Sequence, residues 1–318
     1  MLKRGFVDLV VSGCDFSGTS TQIEGLIKSL QDNRKIVRDL RGTELDALFH
    51  TGAFFKYNKK YSSLKDFLDD EIISKVFKRD FLAEAGELLI KGNKREVRVA
   101  SMIENKISEY ISPNSADVWI LEEPTNRGAG QVNRTIEQNR SEYGDILNPI
   151  SAALCHQAYR TDEFFRFRRP LRENGKIIIR SRSEESACYQ IYDKEILPRG
   201  ISKEQYLSLP GHQVAFGNPP THLFIVHGPE NWTSEEYIKL KTERQGTRRA
   251  DDHESSAQYQ LLVNKRYATY WLENLYLEGC NMYNGKLPQI SKFNIYDSKE
   301  EIVEKMIFRL SQILREQK

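Results

Sequence analysis

The segment GCDFSGTSTQ, Gly13 to Gln22, holds the residue types whose spacing has the most direct chemical reading in this chain. Glycines at Gly13 and Gly18 let a backbone curl until its N–H groups converge on one point, the geometry that cradles phosphate oxygens. Ser20 occupies the place of the magnesium-binding hydroxyl in the pattern GxxxxGK[ST]. The lysine of that pattern is absent, and Thr19 stands there instead. Gly13, Cys14, Ser17, Gly18, Thr19, Ser20 and Thr21 are the candidate phosphate ligands, through backbone amides and hydroxyls. ATP with Mg2+ is the cofactor pair that such a loop serves. Binding can survive loss of the lysine because the amides remain. Phosphoryl transfer needs a replacement cation, since one preorganised donor is worth roughly 10²–10³ in rate.

Such a loop works only between a strand and a helix, and the flanking residues supply both. Phe6 to Val11 is a short apolar run, and from Ser20 to Leu30 the apolar residues Ile23, Leu26, Ile27 and Leu30 share one helical face. Further strand signals fall at Lys35 to Leu40, Asp117 to Leu121, Lys176 to Arg180, His222 to Val226 and Lys292 to Tyr296. Helical patterns cover Ser62 to Ile90, Glu96 to Ile111, Gly130 to Asn139 and Asn148 to Asn174, with a closing helix from Lys299 to Gln317. Pro170 is expected to kink its helix or begin a new segment. Strands alternating with helices predict an α/β fold, a parallel sheet of about five strands flanked by helices.

The 318 residues suffice for one large domain or about two. A net charge of +2, from 47 basic and 45 acidic side chains, argues against a general grip on nucleic acid or membrane. The basic run Arg166 to Arg172 is the one local exception. Cys14, Cys155, Cys188 and Cys280 show no CxxC spacing, which speaks against a zinc site or disulfide framework and fits a reducing compartment. The first apolar run is too short for a spanning segment, so a cytoplasmic location is expected.

In its motifs the chain resembles the thymidylate kinases, nucleoside monophosphate kinases whose loop is similar to GxDGSGKSTQ; Gly13, Asp15, Ser17, Gly18 and Ser20-Thr21-Gln22 match. The resemblance implies a role for Asp15 between the nucleotide sugar and the metal, making Asp15 and Ser20 the candidate metal-placing residues. EEPTNRGAGQ, from Glu122, resembles the family's REPGGTPxGE and keeps Glu123 and Pro124, with Glu122 in place of the arginine. A rival match, RDLRGTE from Arg38, lacks the proline. HQAYR resembles FxxxR: Arg160 is kept and His156 replaces the aromatic that stacks on the base. RRPLRENGKIIIRSRSEESACYQ resembles the segment carrying DRY and AYQ, retaining Arg182, Tyr189 and Gln190 but placing Ser181 where the family has aspartate. RQGTRRADDHE resembles the arginine-bearing lid, with Arg244, Arg248 and Arg249 as the candidate sources of transition-state charge.

The resemblance covers residues 1–41 and 116–318, with a lid at about 232–256 and a mostly helical insertion at 42–115. It implies an ATP-dependent nucleoside monophosphate kinase acting on thymidylate. Asp15, Arg244, Arg248 and Arg249 would serve the chemistry. Glu123, Pro124, His156, Arg160, Arg182, Tyr189 and Gln190 would shape the acceptor site. The missing lysine and aspartate keep open a second reading, a nucleotide-binding protein of impaired catalysis that acts through a partner. Nucleotides are the expected ligands, without membrane or nucleic acid, and a homodimer is an expectation of the resemblance alone.

Overall fold

A computed structural model describes residues 5–41, 113–123, 149–191, 201–245 and 256–317. The strands are β1 (Val7–Gly13), β2 (Val37–Asp39), β3 (Val118–Glu122), β4 (Ile177–Ser181), β5 (His222–His227) and β6 (Gln289–Asn294). They form a single sheet in the order β2-β3-β4-β1-β5-β6, every neighbouring pair parallel. The expected α/β class and parallel sheet hold, with six strands rather than five. Each of the six strand signals has its strand, and the edge strand β2, only three residues long, pairs with β3 alone among the described residues. The last strand also lies earlier than expected, because the polar stretch from Gln289 pairs with β5 through its backbone, whatever its side chains.

Ten α-helices lie among the described residues: α1 (Thr19–Asp32), α2 (Pro149–Glu163), α3 (Arg169–Glu173), α4 (Ala187–Gln190), α5 (Lys203–Ser208), α6 (His212–Gly217), α7 (Ser234–Gln245), α8 (Ala257–Ala268), α9 (Trp271–Tyr283) and α10 (Lys299–Glu316). The predicted break at Pro170 appears as a π-helical turn, Phe164–Arg168, between α2 and α3. Proline has no N–H to continue the α ladder, and the wider turn takes up the mismatch. The helices expected within 62–111 and at 130–139 fall outside the described residues. So does the proposed insertion, apart from a short 3₁₀ turn at Pro113–Ser115.

Alternation along the strands sends successive side chains to opposite faces. On one face Val7, Leu9 and Val11 of β1 join Ile120, Ile179 and Phe224 against Ile23 and Leu26 of α1 and Ile302 and Met306 of α10. Gly25 permits the close approach of those helices, since a Cβ there would stand 2.5 Å from Val303 Cγ1. On the other face Val10, Leu223 and Ile225 pack beneath α5, α6, α8 and α9, while Trp119 and Ile178 meet Phe167 and Leu171.

The second face also carries charge. Asp8 of β1 is fully buried and accepts from Arg180 Nε at 2.9 Å, Arg168 Nε at 3.2 Å and Arg172 Nε at 3.0 Å. Glu184 accepts from Arg168 Nη1 at 3.2 Å. Burial opposes the charge on Asp8, but the three guanidinium groups outweigh it and hold the carboxyl far below the ordinary range. Two arginines of the basic run Arg166 to Arg172 are thereby turned inward, and Arg169 pairs on the surface with Glu173.

Candidate functional site

The loop from Gly13 to Gly18 leaves the carboxyl end of β1 and enters α1, so its position follows from the parallel sheet. A Cβ at Gly13 would meet Val226 O at 2.2 Å, so only glycine fits there. Gly18 has φ 78°, the left-handed conformation that starts α1, and no side chain caps this helix end. The first-turn amides therefore keep unspent donors at the positive end of the helix dipole. Ser17 is buried, and its carbonyl accepts from Gln22 Nε2 at 3.0 Å, which ties loop to helix. Ser20 and Thr21 are exposed at the helix start. Cys14 is buried; burial, then the charge of Asp15, push its thiol up to about 12, which leaves it protonated and unreactive.

Asp15 is the hub of the loop. Its Oδ1 accepts from Arg182 Nη2 at 2.7 Å and from Tyr189 OH at 3.3 Å, and its Oδ2 accepts from Gln260 Nε2 at 2.5 Å. The single Tyr189 hydroxyl proton is shared between Asp15 Oδ1 and Gly13 O, the latter at 3.1 Å, and the Arg182 guanidinium lies 4.6 Å from the Tyr189 ring centre. Arg182 itself has φ 66°, a conformation costly for a residue with a side chain. Arg244, at the end of α7, donates to Phe16 O and to Ile295 O, both at 2.9 Å. The structure thus brings Gly13, Asp15, Arg182, Tyr189 and Arg244 together at one end of the sheet.

A second group forms deeper. Arg160 of α2 pairs with Glu123, its Nε 2.7 Å from Oε1, and donates to Tyr206 OH at 3.2 Å and Ser183 O at 3.1 Å. Both charges are buried. His156 is buried one turn earlier, edge-on to Tyr159 at 5.9 Å. Glu123 therefore sits inside the molecule, whereas the rival segment at Arg38 lies on the neighbouring edge strand. Beside this pair Glu185 is buried, and burial followed by the charge of Glu123 pushes its carboxyl up to about 7. His212 stacks on Tyr206 at 4.1 Å, and burial, then the Arg160 charge, pull its imidazole down to about 3.

Pro124, Arg248 and Arg249 lie outside the described residues, as do residues 246–255 of the lid expected at about 232–256, whose first part forms α7. Gln190 ends α4. Sequence reasoning passed over α8 entirely. Its Gln260 grips Asp15, Asn264 Oδ1 accepts from Gly228 N at 2.7 Å, Tyr267 OH meets Ser12 Oγ at 3.2 Å, and Arg266 Nη1 donates to Cys188 O at 2.8 Å. One helix so braces the loops after β1, β4 and β5. The signal was the spacing of Gln260, Asn264 and Tyr267, which puts three polar groups on one helical face.

No helix among the described residues is long and apolar enough to cross a membrane. No protein-family model matches the chain, and no curated protein matches it. Among solved structures it is similar to thymidylate kinase from Ehrlichia chaffeensis, at 13% identity and a TM-score of 0.44 over 96% of this chain and 99% of that one. A likeness at that level assigns neither a family nor an activity.

Proposed function

We propose that the chain binds a nucleoside triphosphate at the loop from Gly13 to Ser20 and transfers its terminal phosphoryl group to a nucleoside monophosphate, with thymidylate the first acceptor to test. The observation that carries this reading is the glycine-bounded loop between β1 and an uncapped α1, with the Asp15–Arg182 pair at its side. Amides at a helix start suit phosphate, and Arg182 offers a fixed, bidentate-capable charge there in place of the missing lysine. Bound ATP would supply the phosphoryl group, and Mg2+ would offset phosphate charge. Ser20 Oγ and Asp15 would hold the metal, in keeping with a cation that takes few protein ligands and shares the substrate's phosphates. The loop amides would orient the triphosphate, and Tyr189 and Gln260 would keep Asp15 in place. Arg244, Arg248 and Arg249 would add charge as it develops. Glu123, Pro124, His156, Arg160 and Gln190 would border the acceptor.

One observation favours a second reading, a nucleotide-binding protein without turnover. Arg160, which the resemblance assigns to the acceptor base, already spends donors on Glu123, Tyr206 and Ser183 O. Calorimetry with ATP and Mg2+, followed by coupled ADP release across the common nucleoside monophosphates, separates the outcomes. Binding with turnover supports the kinase, binding alone supports the second reading, and no heat at millimolar ATP removes both.

A further inference from the structure

Gln260 is a fully buried glutamine on α8, and its carboxamide meets both poles of one loop residue. Its Oε1 accepts from the Asp15 backbone N–H at 3.4 Å, and its Nε2 donates to Asp15 Oδ2 at 2.5 Å. The neighbouring Phe16 has φ 61°, and its carbonyl is taken by Arg244 of α7. A left-handed residue with a side chain persists only where its surroundings over-determine it. Gln260 and Arg244 supply that constraint from two helices, on adjacent residues of one turn.

We propose that Gln260 is a positioning residue of the phosphate loop: it fixes the Asp15 amide and carboxylate together, so that the loop amides face a ligand and Asp15 presents Oδ1 to Arg182. The proposal rests on the nucleotide-binding reading above, and deepens it. Only a carboxamide satisfies this geometry, because one end must accept and the other donate. A carboxylate at position 260 would set two like charges against each other whenever both are ionised. An apolar chain of equal length would fill the space and hold nothing.

The test compares wild type with Gln260→Glu and Gln260→Met by hydrogen exchange of the peptide spanning residues 13–18 and by calorimetry with ATP and Mg2+. Gln260→Met is expected to speed exchange in that peptide, leave β4 and α10 at wild-type rates, and weaken ATP binding about tenfold at every pH. Gln260→Glu is expected to match that loss at pH 8, because its carboxylate offers Asp15 Oδ2 no donor. Wild-type exchange and affinity in both variants would overturn the proposal, as would acceleration spread evenly over the whole molecule. Should wild type bind no ATP, the nucleotide reading fails, and the exchange rates still decide whether Gln260 holds the loop.

Discussion

The guanidinium of Arg182 stands 2.7 Å from the carboxylate of Asp15 and joins the loop after β4 to the loop after β1. Arg182 holds this contact in a left-handed conformation, with its own amide donating to Val11 O at 3.1 Å. The pair is partly exposed, so it adds little to stability. Its value lies in what it places at the loop.

Arg182→Gly separates these effects. Glycine adopts the backbone conformation without cost, which offsets the lost ion pair. The variant is expected to melt near the wild-type temperature while phosphoryl transfer falls by about 10²–10³-fold. Thermal melts and a coupled ADP-release assay on one preparation check both halves.

Thr19→Lys addresses the missing ammonium. If Arg182 and the lid arginines substitute incompletely, the restored charge should raise turnover by about 10²-fold while ATP affinity changes far less. Single-turnover transfer to thymidylate measures the first quantity, and calorimetry the second.

Glu123 and Arg160 form a pair that cannot safely be halved. Glu123→Ala leaves the Arg160 charge buried and should cost about 3–5 kcal/mol. The double change Glu123→Leu with Arg160→Met removes both charges and should cost less than the single one. Urea denaturation of the three proteins gives the comparison directly.

Glu185 sets a pH dependence. Its carboxyl is raised from 4.5 to about 7 in the fold, so its contribution to stability is complete below pH 4.5 and is lost as pH rises through about 7. The shift corresponds to about 3 kcal/mol. Glu185→Gln should remove that dependence, and its advantage over wild type should grow from pH 5 to pH 8. Melting temperatures across that range test the sign.

The parts of the fold legible in the sequence are those where local signals agree. The apolar run of β1, the glycines and the spaced face of α1 lie within one stretch and gave strand, loop and helix together. The closing helix was likewise plain, and Ser298 caps it in a reciprocal box with Glu301. The hidden parts are those where tertiary contacts reverse the usual meaning of a residue. Asp8 interrupts an apolar strand and reads as a flaw until three arginines from distant elements reach it. Gln260 reads as helix surface, yet lies wholly inside. Of the candidate site, the loop's shape was legible because the glycines at Gly13 and Gly18 dictate it through the backbone. The brace behind it was not, because its partners lie more than two hundred residues away.

The cluster around Asp8 restricts the order in which a lineage could change it. Two carboxylates, Asp8 and Glu184, face three guanidinium groups, those of Arg168, Arg172 and Arg180. Losing one arginine brings the count to two against two; losing Asp8 first leaves three against one in a dry interior. Arg172 is the natural first departure, since burial, partly countered by Asp8, and the repulsion of Arg168 already pull its pKa down to about 10. Shedding an arginine first keeps the buried charges balanced, whereas losing Asp8 first leaves uncompensated positive charge in the interior, the more destabilising order.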